Sequence, residues 1–417
     1  MSEYTRFERR LARLLSSNPF IKAMLKKAYV VVMRLSAFGK SRISSDFKIT
    51  PIFSLKESFF GYYDNNPSNT KGLVLFHSSD YDTSKPPEYA SHININLLDE
   101  LSGNIIWSSK SRAFNWQQGS RLQWINESKF IFSDFDERES KYISRVVNIK
   151  DYSETIYNYP VQDAYNDQYF LSLNYQRLRT LRPDYGYFCL DKMKKYELDK
   201  LDHDGIWKVD IASHNESLLI SLKDICAFKT KSEFQEADHK VNHFQIDPSG
   251  RSFVFLHRYF FNGRRYDRLL LADVITGDLN LLSESLLVSH YHWLDTNTLV
   301  VFLDDIDNGE CYSILNIATG QKKFLSELSK YGDGHPSGEG NIMVTDTYPN
   351  RAGFQSLFLL EDIDNAHLKL LGSFYHPLKF QGVSRCDLHP RLVWNKRVVY
   401  FDSVYSGRRQ FYKLEFN

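Results

Sequence analysis

The stretch NHFQIDPSGRSFVFLH, residues 242–257, holds the key to the chain. A histidine is followed, three residues on, by a large apolar residue. Then comes a turn rich in Asp, Pro, Ser and Gly, and after it a β-rich run. The same plan recurs in SHYHWLDTNTLVVFLD (289–304), GHPSGEGNIMVTD (334–346) and LHPRLVWNKRVVYFD (388–402). In the third copy Gly338 takes the apolar position and the turn is shorter. The aligned histidines are His243, His290, His335 and His389, separated by 47, 45 and 54 residues. A four-stranded propeller blade takes a similar length of chain.

Working outward, LADVITGDLNLLS (271–283) and LNIATGQKKFLS (315–326) read as outer hairpins of such blades. Earlier units keep the pattern less clearly. GSRLQWINESKFIFSD (119–134) aligns Trp124 with Trp293 and puts Arg121 where the histidines sit. GYYDNNPSNTKGLVLFH (61–77) places Tyr63 nearby, and DAYNDQYFLSLNY (163–175) opens a longer unit. Seven units follow, starting near residues 60, 116, 163, 241, 288, 333 and 386. The last is one strand short, and FKITPIFSL (47–55) is placed to supply it, which removes exposed sheet edges. The expected fold is an all-β seven-bladed propeller over residues 46–417, with a basic helical arm over residues 1–45.

Composition is consistent with this. Among 417 residues, 42% are apolar and 25% charged, with 30 Phe and 26 Tyr that suit strands and sugar-stacking surfaces. The net charge of +1 gives no reason to expect nucleic acid. Cys189, Cys226, Cys311 and Cys386 lie far apart with no CxxC pair, as suits a reducing compartment. No secretory pattern or membrane-spanning run is present near the start. A cytoplasmic protein is expected.

Residues 1–42 carry ten Lys and Arg against Glu3 and Glu8. Leu11, Leu14 and Leu15, then Ile21, Met24, Leu25, Ala28 and Val32, fall at helical spacing, and Asn18-Pro19 reads as a helix start. Such an arm suits peripheral contact with an anionic inner-membrane surface, or packing on the main domain or on a second subunit.

Equivalent positions just before the inner strands of successive blades converge at the channel mouth. The four histidines are therefore expected on one arc. Cys386 lies three residues before His389, so His290, His335, Cys386 and His389 form an expected metal set. With a thiolate present, Zn²⁺ is preferred over Mn²⁺. Asp333, Asp346 and Asp387 would orient the imidazoles or ligate directly. A hydrogen-bonded polar channel without metal is the alternative.

LSLNYQRLRTLRPDYGY, FLHRYFFNGRRYDRLLLAD, VSHYHW, DGHPS, TDTYP, RCDLHPR and FDSVYSGRRQFY resemble the seven-bladed propeller polysaccharide lyases. The likeness is nearest to the ulvan lyases and more distant to the oligogalacturonate lyases. The resemblance implies β-elimination on a uronic-acid-containing glycan, with a metal near the channel. His335 and His389 match the family's metal histidines, Cys386 falls at its glutamine, and Arg391 replaces a second histidine.

β-Elimination needs a neutralised carboxylate, a base and a proton donor. Arg121 is the expected neutraliser, His243 the base, and Tyr63 or Tyr175 the acid. Arg177, Arg258, Tyr348 and Arg391 are expected to contact an acidic oligosaccharide or polysaccharide. The competing reading is a non-catalytic propeller that binds a glycan or a partner at the inner membrane during surface-polysaccharide assembly.

Overall fold

The computed structural model describes residues 32–34, 39, 41–365 and 367–416. Most of the basic arm, with the first expected helix and nearly all of the second, lies outside them; residues 32–34 are helical. Arg34 is described, and its guanidinium lies over the Tyr375 ring of the main domain. No helix among the described residues is long and apolar enough to cross a membrane.

Seven antiparallel sheets follow one another along the chain. Their inner strands are Glu57–Phe59, Gln123–Asn126, Asp163–Tyr165, Asp238–Ile246, Val288–Trp293, Ser337–Glu339 and Arg391–Val393. We number the blades 1 to 7 in that order. Each agrees with a repeat unit read from the sequence. Lys48–Pro51 pairs with Gln410–Glu415 and becomes the outer strand of blade 7. The ring is thus closed by the segment expected to close it. Ile43–Ser44 adds a fifth strand to blade 6.

Period-two alternation explains how the blades stack. In Ser252–Phe261, Phe253 and Phe255 pack in a cluster with Leu171 and Ile206 of blade 3. Val254 and Leu256 pack with Val288 and Leu299 of blade 5. A strand buried on both faces is apolar at every position, as this one is. Each such Phe or Leu stabilises the fold by about 1.5–3 kcal/mol.

Two local features set the channel mouth. The pairing of inner and second strands slips at Asn242/Gln245 in blade 4 and at Val288/Tyr291 in blade 5. These bulges take His243 and His290 out of strict alternation. Arg121, His243 and His389 all adopt left-handed backbone, with φ of 56°, 57° and 45°. That is uncommon for residues with a Cβ, and such residues cluster at functional sites. The second feature is an insertion between the second and third strands of blade 3. It carries the helix Tyr175–Leu181, capped by the Asn174 side chain on the Gln176 and Arg177 amides, and brings Tyr185 against His243.

Candidate metal and anion site

The four histidines meet. Their ring centroids are 6.2 Å apart from His243 to His290, 4.2 Å from His290 to His335, and 4.3 Å from His335 to His389. All four are buried.

Hydrogen bonds decide where their lone pairs point. His335 Nδ1 lies 2.8 Å from Asp346 Oδ1, so that nitrogen carries the proton and Nε2 is bare. His389 Nδ1 lies 2.8 Å from the Gly61 carbonyl, which can only accept, so its Nε2 is bare as well. Asp387 Oδ2 accepts from Arg385 Nε at 2.8 Å, and Oδ1 stays free. His335 Nε2, His389 Nε2 and Asp387 Oδ1 are all buried without a partner. His335, Asp387 and His389 form a group that could hold a metal ion, with one ligand atom of each within 4.8 Å of the others. Buried lone pairs left unpaired are costly, so three in one place would suit a cation. Charge agrees: Asp346, Asp387 and Asp333 raise the proton affinity of His335 against the opposing effect of burial. His389 is shifted the other way, by burial and by the charges of His335 and Arg391. The carboxylates around His335 thus favour positive charge at the place where the two bare Nε2 atoms meet. His290 is held 3.0 Å from Asp333 and stands beside the group.

Cys386 is the correction. Its thiol is outside this group, packed with Phe380 and Val404. Sγ lies 3.7 Å from the Asp387 carbonyl. Burial pushes the thiol up to about 12, so it stays protonated. The residue that joins the two histidines is Asp387, expected only as an orienting group or an occasional ligand. The stretch 382–390 has no strand geometry, so neither alternation nor spacing could separate residue 386 from residue 387.

The remaining expected residues divide. His243 lies in the cluster, its Nε2 3.3 Å from the Tyr62 hydroxyl and its ring stacked on Tyr62 at 5.0 Å. Burial, then Arg258 and His290, keep it neutral. Tyr348 also lines the site, 5.7 Å from His335 between ring centres. Arg121 reaches the mouth but is fully engaged. It forks onto Asp64 with two bonds of 2.9 Å and gives Nε to the Gln162 carbonyl at 2.7 Å. Arg391 gives Nε to the Tyr62 carbonyl and Nη2 to Asp402. Tyr63 donates to the Tyr291 carbonyl and accepts the Tyr291 amide. Tyr175 donates toward Gln162 Oε1 at 2.7 Å and stacks on Tyr187. Arg177 ties Asp204 and the His239 and Leu198 carbonyls together. Arg258 pairs with Asp267. These six help to hold the walls, and among their polar atoms Arg391 Nη1 is buried without a hydrogen-bond partner.

Other side chains, not expected from the sequence, also reach the cluster. Tyr185 and Arg182 arrive on the blade 3 insertion. The Tyr185 ring lies 4.9 Å from His243, edge to face, and Arg182 covers Tyr185. Arg385 covers Tyr348. Arg182, Arg265 and Arg385 keep 26%, 33% and 28% of their side chains exposed while paired with Asp184, Asp267 and Asp387, and so bring part-exposed cations to this region. The run RLRTLRPDYGY held part of this signal, three Arg followed by two Tyr.

A second cluster, Cys226, His239 and His257, is of another kind. His239 Nε2 donates to the Phe234 carbonyl at 2.8 Å, His257 Nε2 lies 3.0 Å from His239 Nδ1, and Arg268 faces His257 Nδ1. Donors and acceptors alternate along this relay and use every imidazole nitrogen.

No protein-family model matches the chain, and no curated protein matches its sequence. Solved structures do match. An oligogalacturonate lyase from Vibrio parahaemolyticus aligns over 90% of this chain and 96% of its own, with TM-score 0.57 and 14% identity. An oligogalacturonate lyase in complex with manganese aligns over 90% and 94%, with TM-score 0.42 and 11% identity. The propeller domain of the Trilobed protease from Pyrococcus furiosus aligns over 86% and 95%, with TM-score 0.48 and 9% identity. At these identities the shared property is the propeller fold, which lyases and peptidases both use.

Proposed function

We propose that this protein is a carbohydrate-active propeller that binds a uronic-acid-containing oligosaccharide at the histidine cluster and cleaves it by β-elimination. One observation carries the reading. Two imidazole nitrogens and a carboxylate oxygen lie bare and buried together, beside a neutral histidine and near the part-exposed Arg182 and Arg385.

In this reading His335, Asp387 and His389 hold a divalent cation, with His290 adjacent. The bound ion would supply positive charge toward a sugar carboxylate, which makes the neighbouring C5–H acidic. Two imidazoles and a carboxylate suit Zn²⁺ and also Mn²⁺. The preference for Zn²⁺ rested on the Cys386 thiolate and lapses with it. His243 takes the C5 proton. The electron pair forms the C4–C5 double bond, the C4–O bond breaks, and the leaving oxygen takes a proton. Tyr62, whose hydroxyl touches His243, replaces Tyr63 and Tyr175 as proton donor. Arg182 and Arg385 replace Arg121 as partners of the ligand's acidic groups. A cytoplasmic location and peripheral membrane contact through residues 1–42 belong to this proposal.

The test is ultraviolet absorbance of an unsaturated uronate, followed across oligogalacturonates, ulvan and other acidic glycans with Zn²⁺ or Mn²⁺ present. Product that vanishes in His243→Ala supports the reading. Engagement of Arg121, Tyr63 and Tyr175 within the protein favours the second reading, a glycan-binding propeller without catalysis. Tight binding without product from any glycan would establish that one.

A further inference from the structure

Lys240 is 1% exposed, on the inner strand of blade 4 three residues before His243. Its amine makes one hydrogen bond, to Asn242 Oδ1 at 2.7 Å. Among the described residues no carboxylate forms an ion pair with it.

Its surroundings are cationic. Directly across the sheet lies Arg258, and across from Arg258 lies Asp267. Asp267 is already committed to Arg258 at 2.9 Å, to Arg265 at 3.3 Å and to the Val288 amide at 3.1 Å. From the blade 3 insertion come Arg182 and Asp184, which are bonded to each other. His243 on the same strand and His257 on the next feel the Lys240 charge. Two buried cations opposite one another on neighbouring strands repel, and a single shared carboxylate does not offset both. Burial first, then Arg258 and Arg182, move Lys240 toward the neutral amine. Asp267 and Asp184 oppose that shift without cancelling it.

We propose that Lys240 is the charge sensor of the site: an acidic ligand seated among Arg182, Arg265 and Arg385 draws a proton onto its amine, so ligand binding and proton uptake are coupled. This rests on the anion-binding part of the reading above and not on catalysis. Apart from the proton, nothing is exchanged; solvent or buffer supplies it. The ligand class is a compact anion, such as a sugar carboxylate. Linkage requires that binding weakens as pH rises, because the proton becomes harder to recruit.

Lysine labelled with ¹³C at Cε reports the charge of each amine, and the signal missing from Lys240→Met assigns Lys240. Near neutral pH the free protein should show Lys240 as an amine, and saturation with digalacturonate should move it to the ammonium position. Calorimetry in buffers of different ionisation heat should give uptake of about one proton per digalacturonate by the wild type. Lys240→Met, and Lys240→Arg with its permanent charge, should show none. An ammonium signal in the free protein overturns the proposal, whatever the ligand. Equal proton uptake by wild type and Lys240→Met overturns it too, and leaves the glycan reading standing. A shift driven by inorganic phosphate but not by digalacturonate supports the sensor and removes the glycan. No shift with either anion overturns the sensor.

Discussion

Asp346 of blade 6 holds His389 of blade 7. Its Oδ2 accepts the His389 main-chain N–H at 3.1 Å, while its Oδ1 accepts the ring and main-chain N–H groups of His335 at 2.8 Å each. One carboxylate thus fixes one imidazole's tautomer and the other's backbone. Asp346→Asn would turn an N–H₂ donor toward one of these donors. Metal affinity is expected to fall about 10- to 100-fold, as for losses of such supporting groups elsewhere. Equilibrium dialysis against Zn²⁺ and Mn²⁺ with elemental analysis checks this.

The ligand set makes a sharper demand. Asp387→Asn and His389→Ala should each abolish stoichiometric metal, while Cys386→Ser should retain it. The opposite order would place the thiol, not the carboxylate, on the ion.

Arg121 and Asp64 form a buried forked pair, with side chains 1% and 2% exposed. Removing one partner strands the other's charge. Arg121→Ala is expected to cost about 3–5 kcal/mol of stability. Urea unfolding should show this loss. If activity falls while the unfolding midpoint stays fixed, Arg121 meets the substrate after all.

Acid should loosen the fold before its carboxylates titrate. Burial pushes His77 down to about 3 and His376 down to about 4. Each is neutral in the fold and free to take a proton near its ordinary value of about 6.5 once unfolded. The unfolded chain therefore binds more protons below that value, and stability drops as pH falls. Each histidine should account for about 2 kcal/mol between pH 7 and pH 5. Thermal unfolding across that range measures it, and His77→Gln should flatten part of the slope.

Gly119 has φ of +60°, and a Cβ there would sit 2.2 Å from the His77 ring. Gly119→Ala meets strain and overlap together. A loss of about 2–4 kcal/mol is expected, again read from urea unfolding.

The ring was legible because a propeller repeats. His243, His290, His335 and His389 hold the same register at blade-length intervals, and topology turns that register into proximity. What escaped the sequence depended on partners from elsewhere in the chain. Nothing near Arg121 announces that Asp64, from the preceding blade, fills its fork. Nothing near Cys386 shows that the next side chain, and not its own, turns toward the histidines. Tyr185 and Arg182 sit on an insertion outside the repeat, so no alignment of blades could bring them to the mouth.

Lys48–Pro51 lies beside Gln410–Glu415, nearly the whole chain apart in sequence. During synthesis that early strand emerges long before its neighbour exists. Six sheets can form while the seventh waits, and for that interval one bare edge of Lys48–Pro51 is open to any passing strand. Translation speed over the codons for Arg391–Glu415 would then govern how much of this protein aggregates before the circle is joined.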